Sequence, residues 1–357
     1  MKSNYDILGN HIRLIDTRNR ESITDRVLGI NIDKFFMPSV ANVIGTDLSK
    51  YKLITKGKFA CNPMHVGRDE RLPVALYDEE EPAIVSPAYF MFEVVDNSIL
   101  NEDYLMMWFR RQEFDRICWL HTDGSVRGGI TWDDICRLEL PIPPIEKQLE
   151  IVNSYKAITE RIALKQKIND NLEATVQALY QEIFVENPDI SDWKQGIVGD
   201  VLQLQRGYDL PRTEMLGGQY PVAGSTGTIG YHNQFTAEAP VIVMGRSGNI
   251  GNPRLYLCNC WTHNTSLYVK QIYEAEPLWA FYLLKNLNYD SFVGGSAVPT
   301  LNRNDVHAYG ISIPPLDLQK SFADKAMKLI LCKEENLAEI EKLQELQGIV
   351  LATISSR

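Results

Sequence analysis

Two stretches of the chain carry a helical pattern far longer than anything around them. After Pro143-Pro144, the residues Leu149, Val152, Tyr155, Ile158, Ile162, Ile168, Leu172, Val176, Leu179 and Ile183 recur mostly at steps of three and four. That spacing puts apolar side chains on one face of an α-helix. After Pro314-Pro315, the residues Phe322, Leu329, Leu337, Ile340, Leu343, Val350 and Ile354 recur at steps of one or two helical turns. Lys333-Glu334-Glu335 and Glu339-Ile340-Glu341-Lys342 supply the outer face of this second stretch. Neither stretch contains proline, and Gly348 is their only glycine. The proline pairs at their entries suit a helix N-terminus, where a fixed φ and a missing N–H cost nothing. At 1.5 Å per residue each helix would be about 60 Å long. A narrow apolar stripe of that length needs a partner, and each helix can supply it to the other.

Elsewhere the periodicity is shorter. Val241-Ile242-Val243-Met244 and Leu255-Tyr256-Leu257 read as strands around a turn-rich segment at 245–253, and 104–114 and 278–287 read as matching helices. The matching extends along the chain. Asp134-Ile135, Pro143-Pro144 and Gln148 recur 171 residues later as Asp305-Val306, Pro314-Pro315 and Gln319, and the same offset sets Gly124-Ser125 on Gly295-Ser296. Leu8-Gly9-Asn10-His11-Ile12 resembles Val198-Gly199-Asp200-Val201-Leu202. An offset of 174 relates Glu102-Asp103-Tyr104-Leu105 to Glu276-Pro277-Leu278-Trp279. A repeat this long is a duplicated domain rather than a solenoid unit. The expected fold is α+β: globular domains at 1–144 and 198–315, each trailed by one long helix, at 145–184 and 316–357, with a linker at 185–197 and a two-fold internal repeat.

Composition bounds the function. With 45% hydrophobic and 23% charged residues, the 357-residue chain reads as ordered and globular. No apolar run approaches the 18 or so residues of a membrane span, and the first residues are polar, so the expected location is the cytoplasm and no membrane partner is expected. The net charge is −10, which argues against a generally basic nucleic-acid coat but not against a local footprint. Residues 1–144 carry 17 basic and 22 acidic side chains, and residues 198–314 carry 7 and 8. Cys61, Cys118, Cys136, Cys258, Cys260 and Cys332 are scattered without metal-finger spacing, and are expected to be buried free thiols.

No catalytic constellation emerges. Gly224-x-x-Gly227-x-x-Gly230 and Gly245-x-x-Gly248-x-x-Gly251 fit neither a dinucleotide fingerprint nor a phosphate loop, and hairpin turns explain them better. The six histidines lack paired metal spacing, so no metal site is expected. Asp189 and Asp192 are too close in sequence to form a two-strand nuclease pair, and Asn62-Pro63-Met64-His65 lacks the second proline and aromatic of an amino-methylating loop. Binding chemistry is better represented. In the first half Asn62, His65, Arg68, Arg71, Tyr89 and Arg127 are candidate DNA contacts; in the second, Ser225, Thr226, Tyr231, Arg246, Asn249, His263 and Asn264. Arginine takes guanine bidentately and asparagine takes adenine, while hydroxyl residues position phosphates. The same residues also decorate ordinary loops.

Two repeats, each ending in an Ile-Pro-Pro-x-x-x-Gln entry to a long helix, resemble the specificity subunit of type I restriction-modification systems. The motifs are Ile142-Pro143-Pro144-Ile145-Glu146-Lys147-Gln148 and Ile313-Pro314-Pro315-Leu316-Asp317-Leu318-Gln319. Tyr220-Pro221-Val222-Ala223-Gly224-Ser225-Thr226-Gly227-Thr228-Ile229-Gly230-Tyr231, Gly295-Ser296-Ala297-Val298-Pro299-Thr300-Leu301-Asn302 and Lys56-Gly57-Lys58-Phe59-Ala60-Cys61-Asn62-Pro63-Met64 are similar to segments of that family's target-recognition domains. The Trp193-Lys194 opening of the second repeat has no tryptophan counterpart near Tyr5-Asp6. The resemblance implies a non-catalytic subunit that reads a split double-stranded DNA target, one half per globular domain; the two globular domains would be separated by a pair of long antiparallel helices that sets the spacing, in a pseudo-two-fold internal repeat. Two methyltransferase subunits, carrying S-adenosylmethionine, would dock on it, and restriction subunits, carrying ATP and Mg, would join through them. This chain would hold no cofactor of its own. Leu149, Ile158, Ile162, Leu172, Leu179, Phe322, Leu329, Leu337 and Ile340 would form the helix pair or its partner-docking face. A methyltransferase-only system, or a scaffold joining two partners without DNA, would present the same helices.

Overall fold

A computed structural model of the chain describes residues 4–41, 45–64, 66–122, 128–215, 217–292 and 300–354. The chain divides into two compact units, Met1–Leu164 with Glu339–Arg357, and Lys165–Ala338. These are not the five sequence segments, because the division falls within the two long helices and each unit takes a share of both.

The main sheet of the first unit is antiparallel, in the order Ile12–Ile15, Phe90–Val94, Lys58–Cys61, Val74–Tyr77. A second sheet runs Phe36–Pro38, Val27–Ile30, Ala83–Val85, Lys52–Ile54, with Val27–Ile30 parallel to Ala83–Val85. A short ladder pairs Tyr5–Ile7 with Glu139–Pro141. The core is aromatic: Phe59 stacks on Phe92 at 5.0 Å and meets Phe109 edge-on at 5.8 Å, favoured ring geometries. Helix Glu102–Phe109 buries six consecutive residues against this core, and the Asn101 side chain caps it by accepting from the Tyr104 N–H at 3.0 Å.

The main sheet of the second unit has the same plan: Leu202–Arg206, Ser266–Ile272, Val241–Gly245, Gly251–Tyr256, again antiparallel. Its second sheet runs Gly227–His232, Tyr220–Gly224, Trp261–Thr262, and the last pair is parallel as in the first unit. The short ladder pairs Lys194–Ile197 with Gly310–Ile313. Helices Pro277–Lys285 and Arg303–His307 answer Glu102–Phe109 and Trp132–Cys136. The repeat seen in the sequence is thus a repeat of strand order, and the helix caps correspond as Asn101 and Glu276, one residue from the sequence alignment.

Two local expectations are corrected. The single helix expected at 104–114 is two, Glu102–Phe109 and Gln112–Leu120, with Arg111 extended between them. The break turns Phe114 back so that its ring lies 4.9 Å from that of Phe109. The thiols are not all buried: Cys258 and Cys332 are exposed, the first in a turn and the second on the outer face of its helix.

The first long helix spans Ile145–Tyr180 and passes into a π-helical turn, Gln181–Val185; the second spans Leu316–Thr353. In the first unit Arg161 pairs with Glu339, and Gln347 donates to Thr159 at 2.8 Å. In the second, Lys165 donates to Asn336 at 2.9 Å and Lys333 reaches Glu173 at 2.8 Å. In each unit the numbers rise along one helix as they fall along the other, so the strands of the pair are antiparallel. Burial recurs at sevens: Tyr155, Ile162, Asn169 and Val176 are buried on one helix, and on the other Ala326 and Ile340 are buried with Lys333 half-buried between them. Seven-residue spacing is that of a coiled-coil seam, and here it includes polar residues.

Candidate nucleic-acid interface

The register of the main sheets brings the polar connections to one end. In the second unit Gly245 pairs with both Gly251 and Ser266, and Arg206 pairs with Leu267. Connections 246–250, 263–265 and 207–209 therefore emerge together. In the first unit Cys61 pairs with both Val74 and Phe90, and Ile15 with Met91, so connections 62–73, 86–89 and 16–18 emerge in the same places. Arg246 and Asn249 thus occupy the connection that in the first unit holds Asn62, Arg68 and Arg71. His263 and Asn264 occupy the connection that holds Tyr89. Ser225 and Thr226 form the hairpin turn between Tyr220–Gly224 and Gly227–His232, which answers the turn at 31–35.

In the second unit Thr265 ties these connections together. Its carbonyl accepts from the N–H groups of Arg246 at 3.0 Å and Ser247 at 3.3 Å. Its hydroxyl lies 3.4 Å from the Ser225 N–H and 2.9 Å from His263 Nδ1. Asn249 Nδ2 donates to the Ser225 carbonyl at 3.1 Å, and the His263 N–H donates to the Ala223 carbonyl at 2.9 Å. Asn264 holds Asp209, and Arg206 Nε donates to the Asn264 carbonyl at 3.3 Å. The backbones approach so closely that a Cβ on Gly245 would lie 1.5 Å from the Asn249 carbonyl oxygen, and one on Gly207 would lie 2.2 Å from that of His263. Ser225, Arg246, Asn249, His263 and Asn264 are therefore one assembly. Thr226 is exposed beside it, while Tyr231 stands exposed farther along its strand, opposite Pro221.

The first unit holds its candidates differently. Arg68 forms a bidentate pair with Asp69 at 2.6 and 2.9 Å, and Arg71 reaches Asp33 of the hairpin turn at 2.8 Å. Asn62 Oδ1 accepts from the Met64 N–H at 3.1 Å, so this side chain shapes its own turn. Tyr89 is half-buried against the cluster of Leu28, Ile54 and Tyr77, and burial pushes its hydroxyl above the ordinary tyrosine value. His65 and Arg127 lie outside the described residues. Among the described residues Arg206, Arg246 and Arg254 form no ion pair, whereas Arg18, Arg68 and Arg71 each face a carboxylate.

Three contributors went unmarked in the sequence. Thr265 carries no signal, since its work is done by backbone and hydroxyl at once. Tyr208, exposed in connection 207–209, has its hydroxyl 3.5 Å from that of Tyr268, a hydrogen bond that holds it below its ordinary value, and its ring 6.4 Å from Trp261. Lys34 reads as a turn residue, yet its ammonium is buried 2.7 Å from Asp115, donates to the Phe109 carbonyl and lies over the Phe114 ring. Burial lowers its pKa, an effect that Asp115 opposes.

The candidate helix-pair residues divide by depth. Ile162, Phe322 and Ile340 are buried, Ile158, Leu172, Leu179 and Leu329 are half-buried, and Leu149 and Leu337 are exposed. A depression of about 500 Å³ in the first unit, lined by Phe35, Met106, Arg110, Tyr155 and Lys156 among others, contains none of the candidate DNA contacts. Among the described residues no group of three or more His, Cys, Asp or Glu side chains could hold a metal ion.

Residues 190–345 match the family model described as type I restriction modification DNA specificity domain. The specificity subunit of the type I restriction enzyme HindI of Haemophilus influenzae is 24% identical over 191 residues, 53% of this chain. The match spans 40% of that relative's length. Among solved structures, the S subunit of the type I restriction-modification system of M. genitalium aligns over 100% of this chain and 97% of its own, at 16% identity and a TM-score of 0.64. A chain from a study of complex assembly and conformational transition of the type I R-M system aligns over 98% and 96%, at 16% identity and a TM-score of 0.51. At such identities the structural likeness is one of fold.

Proposed function

We propose that this chain, which belongs to the type I restriction-modification specificity family through residues 190–345, reads a split double-stranded DNA target for a complex whose chemistry resides in other subunits. The observation that carries this reading is the paired arrangement of connections: 62–73 with 246–250, and 86–89 with 263–265, stand at the same end of the same sheet and bear polar candidates in both units. Each unit would place its connections against one short block of bases, with arginine, asparagine and histidine reading edges and hydroxyl residues setting the position on phosphates.

The helix pair would hold the two blocks at a constant separation, and contacts about one DNA turn apart, roughly 34 to 36 Å, are within the reach of helices of this length. A repeated subunit offers two equivalent docking faces. Two adenine methyltransferase subunits would occupy them, through half-buried and exposed helix positions such as Ile158, Leu172 and Leu337, and each would flip one adenine. They would bring S-adenosylmethionine; restriction subunits joined through them would bring ATP and Mg. The complex would act on cellular DNA in the cytoplasm. No described helix is long and apolar enough to cross a membrane.

The test is selection from a random duplex library by the complex of this chain with its methyltransferase partner. Two short blocks separated by a constant number of unselected bases are expected. A single contiguous block, or no enrichment by a stable complex, contradicts the reading.

A further inference from the structure

We propose that His263 and Thr265 act as one unit that sets a base preference of the second globular half, with His263 offering its Nε2–H to a hydrogen-bond acceptor on a base edge. This rests on the DNA-reading role proposed above and adds the tautomer, the direction of the hydrogen bond and the residue that imposes both.

His263 Nδ1 lies 2.9 Å from Thr265 Oγ1 and 3.4 Å from the Thr265 backbone nitrogen. A backbone N–H can only donate, so Nδ1 must accept and cannot carry a proton. The Ser225 N–H donates to Thr265 Oγ1 at 3.4 Å, which leaves the hydroxyl proton free to point at the same Nδ1. A neutral imidazole has one N–H, and here it must sit on Nε2. The half-buried ring is therefore a donor at its free nitrogen. In the major groove the matching acceptors are purine N7, guanine O6 and thymine O4, while adenine N6 and cytosine N4 are donors that this nitrogen would reject.

Thr265 itself is a positioning residue. The hydroxyl that fixes the His263 tautomer belongs to the residue whose carbonyl holds the Arg246 and Ser247 N–H groups. The histidine and the arginine-bearing connection are thus placed by a single side chain and its own backbone. Loss of the hydroxyl leaves the carbonyl contacts intact but frees the ring to rotate or to exchange its tautomer.

The experiment maps N6-methyladenine in a methylation-free host that expresses this chain with its methyltransferase partner. Variants are Thr265→Val, which keeps the shape without the hydroxyl, Thr265→Ser, which keeps the hydroxyl, and His263→Phe, which has no donor. Thr265→Val and His263→Phe are expected to relax one base position in one block of the methylated motif by about tenfold, with the other block and the spacer unchanged, and Thr265→Ser to retain the parental preference. Unchanged preferences in both variants overturn the proposal. So does a uniform loss of methylation with preferences intact, which is what a phosphate contact would give. Should Thr265→Val fail to assemble, His263→Phe decides by the same criterion. A parental complex that methylates no bipartite motif would instead overturn the DNA-reading role, and that outcome is visible before any variant is made.

Discussion

Gln148 Oε1 accepts a 2.9 Å hydrogen bond from the backbone N–H of Asn101, the residue that caps helix Glu102–Phe109. The Gln148 amide also donates to the carbonyls of Ile99 and Pro143, each at 2.8 Å. The second unit repeats the joint: Gln319 Oε1 accepts from the Glu276 N–H at 2.8 Å, and its amide donates to the Pro314 carbonyl at 2.8 Å. Both glutamines are almost wholly buried. The last residue of each Pro-Pro-x-x-x-Gln motif thus fastens the start of a long helix to the cap of the short helix that covers the adjacent sheet.

Replacing Gln148 by leucine removes three part-buried hydrogen bonds. Each contributes about 0.5 to 1.5 kcal/mol net, so Gln148→Leu is expected to lower the stability of the first unit by about 3 kcal/mol. Urea unfolding followed by circular dichroism measures this, and a change below about 1 kcal/mol would show that the joint is not needed.

This joint also shows which parts of the fold are legible in the sequence. Prolines before a helix and a glutamine at fixed spacing are local and leave a mark, so the repeat and the long helices could be read directly. The phase of the helix stripe could not. Leu149, Ile168 and Leu337 fit a three-or-four spacing yet lie outside the seam, whereas Asn169 and Lys333 lie on it, because a seven-residue register is decided by what the facing helix presents. The candidate contacts were legible as residue types, but their gathering at one sheet end depends on long-range strand pairing. Thr265 and Lys34 act through backbone neighbours and burial that adjacent residues do not encode.

Lys34 is held in the left-handed region at φ 68°, strained backbone for a lysine, and its buried bonds to Asp115 and the Phe109 carbonyl offset that cost. Asp115 also accepts from the Leu72 N–H at 3.0 Å, so the pair links the hairpin turn at 31–35 to connection 62–73. Lys34→Met leaves Asp115 buried without its cation and is expected to cost about 3 to 5 kcal/mol. Adding Asp115→Asn should restore a large part of it. A double mutant no more stable than Lys34→Met would mean that the loss is one of packing alone.

Glu173 is opposed by partial burial, but hydrogen bonds and charge from Lys285 and Lys333 outweigh it and hold the carboxyl below its ordinary value of 4.5. A carboxylate depressed in the folded state contributes stability that is fully present above the unfolded value and is lost as pH falls through the folded one. The difference in melting temperature between parent and Glu173→Gln should therefore be constant near neutrality and shrink as pH drops below about 4.5. A difference that persists unchanged at pH 3 would assign the effect of the substitution to something other than the charge.

Arg246 forms no ion pair among the described residues, while Arg68 is matched to Asp69. An unpaired guanidinium gives its full charge to DNA, whereas a paired one must first exchange its carboxylate. Arg246→Gln is expected to reduce DNA affinity of the assembled complex by about tenfold, and Arg68→Gln by clearly less. Equilibrium binding at a single stated salt concentration compares them. Equal losses would show that Asp69 does not screen Arg68 in the complex.

The most direct measurement of the central claim is a methylome. This chain, co-expressed with its methyltransferase partner in a host without adenine methylation, should produce N6-methyladenine at a motif of two short defined blocks with a constant spacer. Methylation of a single undivided sequence, or none from a complex that assembles, would contradict the account.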